Sequence, residues 1–166
     1  MPRTITTIVI LAILVCTLVL GCGKRQKSPQ TEGETSKNLT LSTLSSMDGD
    51  QLKVSVFWSG AEDLYQLSCR VSFDPAGWRP VSVKDGGAFG DDVLFFASTD
   101  QSGFVPIAVT PLLKGPGVKG DGTLAVVSFK QLTPGYPQPE LLDDPAYLKA
   151  RNSAEQAVDL VLGGAR

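Results

Sequence analysis

The residues able to do chemistry are few, and their spacing argues against catalysis. The 166-residue chain has no histidine. That removes the commonest general base and metal ligand, and with them any Ser-His-Asp or Cys-His arrangement. Two adjacent carboxylate pairs, Asp91-Asp92 and Asp143-Asp144, have the composition of a glycosidase acid pair. Neighbours along a strand point to opposite faces, however, and nothing around them signals a cleft. Asp48-Gly49-Asp50 and Lys119-Gly120-Asp121-Gly122 resemble calcium loops in composition. Both lack the EF-type spacing that ends in a glutamate, so they are read as turns. No catalytic residue, metal site or cofactor is expected.

The formal net charge is −2 and no run of lysines occurs, which argues against a nucleic-acid partner. Seventeen glycines and eleven prolines suit a turn-rich β protein.

The clearest element is Leu64 to Phe73. Tyr65, Leu67, Cys69, Val71 and Phe73 fall on one side, and Gln66, Ser68, Arg70 and Ser72 on the other. Period two over this length is a strand with one face in a core. Asp74-Pro75 stops it. Cys69 then reads as a buried, inert thiol. Trp58 and Tyr65 share the inward register. Further strands are expected at Leu39–Leu44, Leu52–Trp58, Trp78–Lys84, Phe104–Thr110 and Thr123–Lys130, all with alternating residues. Pro106 argues for an edge position or a bulge. Val93–Ala97 is apolar throughout, as a buried strand would be. Ser59–Asp63 and Leu112–Gly122 read as loops. The tail has helical propensity over Ala146–Leu162, but two short strands, Tyr147–Arg151 and Ala157–Leu162, with a turn at Asn152-Ser153, are preferred. Together this predicts an all-β, jelly-roll β-sandwich of about nine strands.

The N-terminus reads as an address. Arg3 precedes the apolar run Ile5–Leu20, which ends Leu18-Val19-Leu20-Gly21-Cys22. This resembles the lipobox of bacterial lipoproteins, with Leu20 bulkier than usual. The resemblance implies cleavage after residue 21 and lipidation of Cys22, which leaves Cys69 without a disulfide partner. The alternative is an uncleaved anchor, although the run is shorter than the ~20 residues of a spanning helix. Residues 22–37 then form a flexible polar tether, and residues 38–166 the domain. An exported protein is expected, lipid-anchored to a bacterial membrane, at the outer membrane or cell surface.

Within the domain, Val71-Ser72-Phe73-Asp74-Pro75 followed by Arg79-Pro80-Val81-Ser82-Val83 resembles the signature of cohesin domains. So do Leu94-Phe95-Phe96-Ala97-Ser98 with Gly103, and Gly120–Lys130 with its Leu-Ala-Val-Val-Ser-Phe-Lys ending. The resemblance implies a flattened jelly roll related to family 2 and 3 carbohydrate-binding modules. It also implies a dockerin-type partner, carrying its own calcium, docked on one sheet face. The family's recognition asparagine and two acidic residues fall at Gln66, Ser68 and Ser98, none of which is kept. Gln66, Ser68, Arg70 and Ser98 are therefore either a changed recognition strip or a solvated sheet face, with Phe57 and Leu64 as an apolar centre if they point outward. Arg70→Asp is expected to weaken partner binding with little loss of stability. The alternative function is attachment to polysaccharide, for which Trp78 and Tyr136 are the candidate stacking aromatics.

Overall fold

A computed structural model of the chain describes residues 38–164. The expected signal segment, Cys22 and the tether to residue 37 lie outside the described residues. Lys37–Arg166 forms a compact unit by itself. Among the described residues there is no helix. The strands are β1 (Leu39–Asp48), β2 (Gln51–Leu64), β3 (Gln66–Ser72), β4 (Trp78–Asp85), β5 (Val93–Ala97), β6 (Phe104–Pro111), β7 (Val118–Gln131), β8 (Glu140–Leu141), β9 (Lys149–Arg151), β10 (Ala157–Val158) and β11 (Leu160–Leu162). They form two sheets. The back sheet runs β11-β1-β2-β7-β4 and the front sheet β10-β9-β3-β6-β5, with β8 also paired to β3.

The expected sandwich is present, with eleven strands rather than about nine because β8 to β11 are two or three residues each. Alternation builds the core. Leu52, Val54, Val56 and Trp58 of β2 and Ala125, Val127 and Phe129 of β7 meet Leu67, Cys69 and Val71 of β3 and Val105, Ile107 and Val109 of β6, all buried. The tail takes the preferred strand form, with one refinement. Past β10 the chain crosses at Asp159 from the front sheet to β11 in the back sheet, where β11 pairs in parallel with β1.

Three expectations change. Ser59–Asp63 and Val118–Gly122 are not loops. They are the ends of β2 and β7, paired through a series of register shifts. Glycine is required there by packing: a Cβ on Gly122 would collide with the Trp58 ring. Lys119–Gly122 is therefore strand rather than turn, whereas Gly49-Asp50 is the expected two-residue turn of the β1–β2 hairpin.

Second, Pro106 lies in β6, which is not an edge strand, and no bulge marks its pairing with β3 or β5. The Phe73 N–H donates to the Gly103 carbonyl. By alternation the Arg70–Pro106 pair is then a non-hydrogen-bonded one, and the proline nitrogen faces the β5 side. There β5 has already ended, at the Ala97–Ile107 pair, so no ladder bond is lost.

Third, β5 is not buried on both faces. It is the edge of the front sheet. Leu94 is 57% exposed and Phe96 56%, while Val93, Phe95 and Ala97 turn toward the core.

Candidate functional site

The outer face of the front sheet is laid out by strand register. One row across it runs Arg151–Gln66–Thr110–Leu94, and the next Lys149–Ser68–Ala108–Phe96. A third holds Arg70 opposite Pro106, with Ser98 one residue beyond the end of β5. Leu112 continues the face past Leu94, its N–H donating to the Asp92 carbonyl. Apart from Gln66, the middle strands carry short side chains here and the flanking strands long ones. The result is a hollow of about 280 Å³ lined by Gln66, Ser68, Ala108 and Thr110 on its floor, with Leu94 and Phe96 on one side and Lys149 and Arg151 on the other.

The polar residues singled out from the sequence do lie on this one face. Each is engaged within the domain. The Gln66 amide donates to Thr110 Oγ1 at 3.1 Å, and the Ser68 hydroxyl donates to the Tyr147 carbonyl at 3.2 Å. Ser98 Oγ accepts the Asp100 N–H at 3.2 Å. The Arg70 guanidinium is stacked between two rings, 4.1 Å from the centroid of Phe104 and 3.2 Å from that of Tyr147. β3 gives part of one edge to β8 and part to β9. The chain between them loops out, pinned by the Leu142 N–H on the Arg70 carbonyl, and this brings Tyr147 over Arg70.

The apolar part of the face is not where it was sought. Leu64 is buried in the core, 2% exposed, and Phe57 is a half-buried residue of the back sheet. Leu94, Phe96 and Ala108 take that place. Leu94 and Phe96 were hidden inside an all-apolar run. Lys149 and Arg151 flank the buried Ala150, so the alternation in Lys-Ala-Arg was the signal for the cationic side.

Trp78 is not a stacking aromatic. It is 2% exposed, and its indole N–H donates to the Pro137 carbonyl at 2.7 Å. It starts β4 directly after the Asp74–Gly77 turn, which turns it inward. Tyr136 is 36% exposed and lies against Gly77. Trp58 is buried as expected, and Tyr65 is half-buried with its hydroxyl donating to the Leu113 carbonyl.

A structural clasp sits beside the cationic edge. One Asp63 carboxylate oxygen accepts the Gly117 N–H at 2.7 Å, and the other accepts the Ser153 hydroxyl at 2.6 Å and its N–H at 3.2 Å. These bonds, the Ser153 hydroxyl foremost, hold the Asp63 carboxyl below its ordinary range. Burial pushes the Cys69 thiol up to about 12. Among the described residues no three acids or cysteines cluster as metal ligands.

No protein-family model matches the sequence, and no curated protein does. Solved structures do share the fold. The second type II cohesin module of the scaffoldin ScaA from Acetivibrio cellulolyticus superposes with TM-score 0.64 at 13% identity, covering 78% of this chain and 95% of that one. The sixth cohesin of scaffoldin B from the same organism, solved in complex with a dockerin, gives 0.62 at 15% identity, covering 77% and 94%. A non-cellulosomal cohesin from the archaeon Archaeoglobus fulgidus gives 0.57 at 15% identity, covering 76% and 86%. The fold of this domain is thus the cohesin fold.

Proposed function

We propose that the chain is a non-catalytic, membrane-anchored binding module that recognises a dockerin-type protein through the outer face of its front sheet. The observation that carries this reading is the pair Leu94 and Phe96, exposed on an otherwise ordered sheet face. A protein interface combines exposed apolar side chains with polar ones, and this face sets an apolar side, Leu94 and Phe96, beside a mostly polar floor and a cationic side. Cohesin modules of the same fold, one of them solved with a dockerin bound, support the choice of partner. Attachment to polysaccharide loses its support with Trp78 in the core, because sugar stacking needs coplanar exposed rings. Acylation of Cys22 would supply the anchor, at the outer membrane or cell surface. The domain itself needs no cofactor, and any calcium belongs to the partner.

The test is capture by immobilised Asn38–Arg166, which contains every described strand, from the secreted proteins of the same cells and from purified dockerins, with and without calcium. Recovery of a dockerin-bearing protein is expected, lost on Phe96→Asp. Recovery of polysaccharide alone, or of nothing, overturns the reading. Labelling with radioactive palmitate, lost on Cys22→Ser, tests the anchor.

A further inference from the structure

We propose that β5 pairs with β5 of a second copy of this chain, antiparallel about a two-fold axis through Phe95, so that two front sheets join edge to edge. The backbone leaves this edge open. The Leu112 N–H donates to the Asp92 carbonyl. By alternation Asp92, Leu94 and Phe96 then bond toward β6, and Val93, Phe95 and Ala97 turn their N–H and C=O groups to the free side. The other terminal strands of the two sheets are blunted. β4 carries Pro80 and a register shift, and β10 and β11 are two and three residues long. These are devices that keep an edge from pairing. β5 has neither a proline nor a register shift, and its outward residues Leu94 and Phe96 are more than half exposed.

The residues around Phe95 are complementary to themselves, which is what selects a second copy as the occupant. Pairing about Phe95 sets Leu94 opposite Phe96, Val93 opposite Ala97 and Phe95 opposite its own mate. Every apolar side chain of β5 thus meets an apolar one, the kind of cross-strand pair that stabilises a sheet. Beyond them Asp92 faces Ser98 and Asp91 faces Thr99, a carboxylate acceptor against a hydroxyl donor. The Ser98 oxygen accepts the Asp100 N–H, which leaves its own proton to donate. No Lys or Arg occurs between Gly86 and Leu113, and Asp100 falls opposite Gly90, so no carboxylate stands directly against another. The acids also fix the register. Moving the axis to Leu94 would put Asp92 opposite Phe96, and moving it to Phe96 would put Asp92 opposite Asp100. An axis between two residues would set an open backbone group against one already bonded to β6.

A contact one strand wide belongs to the weak class of interfaces, so the experiment is sedimentation equilibrium of Asn38–Arg166 up to millimolar concentration, with amide exchange followed by NMR. A concentration-dependent dimer is expected, with exchange slowed at the Val93, Phe95 and Ala97 amides. Ser98→Asp should weaken it about tenfold, by setting carboxylates face to face on both sides of the axis. Asp92→Lys/Ser98→Asp should restore it. Thiols test the register. In Val93→Cys/Ala97→Cys, position 93 of one copy faces position 97 of the other within reach of a disulfide, and exchange with oxidised glutathione should give a covalent dimer. Either single variant should stay monomeric, because like positions then lie about 13 Å apart. The native Cys69 is buried and takes no part. A monomer at every concentration overturns the inference. So does an undiminished dimer in Ser98→Asp, or cross-linking of a single variant as fast as the double one. The dockerin capture is decided separately, since a single copy suffices for it.

Discussion

Replacing Arg70 by Asp tests whether this residue reads a partner or holds the domain together. The sequence alone places Arg70 on the solvent side of β3, where such a change should weaken binding and cost little stability. The structure assigns it a structural contact instead. Its guanidinium lies 4.1 Å from the Phe104 centroid and 3.2 Å from that of Tyr147. A cation over one aromatic face contributes about 0.5–1 kcal/mol when exposed and about 2 when desolvated. For a half-buried residue with two rings, the loss is roughly 1–3 kcal/mol. In a domain of this size ~1 kcal/mol moves the melting temperature by about 4 °C, so a fall of roughly 4–12 °C is expected. Arg70→Lys should recover only part of it, because an ammonium keeps the charge but not the planar stack. Thermal unfolding of Asn38–Arg166 followed by circular dichroism measures this directly. If Arg70→Asp melts within 1 °C of the parent, the stack contributes nothing and Arg70 is free to contact a partner.

Other changes separate the face from the scaffold. Phe96 is 56% exposed. Covering that exposed part removes roughly 110 Å² from water, at most ~2.8 kcal/mol at about 25 cal/mol/Å², so Phe96→Ala should weaken a captured partner by about tenfold to a hundredfold by calorimetry while moving the melting temperature little. Asp63 has a lowered pKa. Its contribution to stability is complete above the unfolded carboxylate value, near 3.9, and is lost as pH falls through the lower folded value. Asp63→Asn should therefore flatten the acid limb of the stability curve, measured by urea unfolding between pH 5 and pH 2. The Cys69 thiol, raised to about 12, should resist thiol reagents in the native domain. Its contribution is full below the unfolded thiol value near 8.5 and is lost as pH rises toward 12. Cys69→Ala should thus lose alkaline sensitivity in that window, and rapid labelling of the native protein would contradict its burial.

How much of this was legible depended on whether composition and periodicity agreed. In β3 they did, and its faces are assigned residue by residue from the sequence. In the ends of β2 and β7 they did not. Gly60, Gly120 and Gly122 look like loop composition, yet the first two adopt positive φ within irregular pairing and the third makes room for Trp58. Glycine content signals a backbone requirement, and a bulged strand can impose that requirement as well as a turn can. Trp78 failed for another reason. Its position after a turn suggests exposure, whereas the first residue of β4, expected and observed at Trp78, faces inward. Val93–Ala97 was the costliest misreading, since five apolar residues do not reveal whether both faces are covered. Only the structure, in which β5 is an edge strand and its outer face is uncovered, shows Leu94 and Phe96 exposed.

That edge also changes what the departures from the cohesin pattern mean. The resemblance to cohesin sequences puts Gln66, Ser68 and Ser98 at the family's recognition positions, and reading them as replacements would make them the new specificity determinants. Their hydrogen bonds say otherwise. Gln66 is joined to Thr110, Ser68 to the Tyr147 carbonyl and Ser98 to Asp100. A group already paired within the domain gains little by exchanging that bond for one to a partner. Gln66 and Ser68 therefore shape the floor of the hollow, Ser68 holds the loop that carries Tyr147, and Ser98 holds the turn at Asp100. On the proposed binding reading discrimination falls to the walls, where Leu94 and Phe96 leave apolar area uncovered and Lys149 and Arg151 are exposed and, among the described residues, outside any ion pair. Returning the family's asparagine and aspartate at 66 and 68 should consequently not restore binding to a dockerin that the parent rejects, whereas reversing the charges at 149 and 151 should change which partner is accepted.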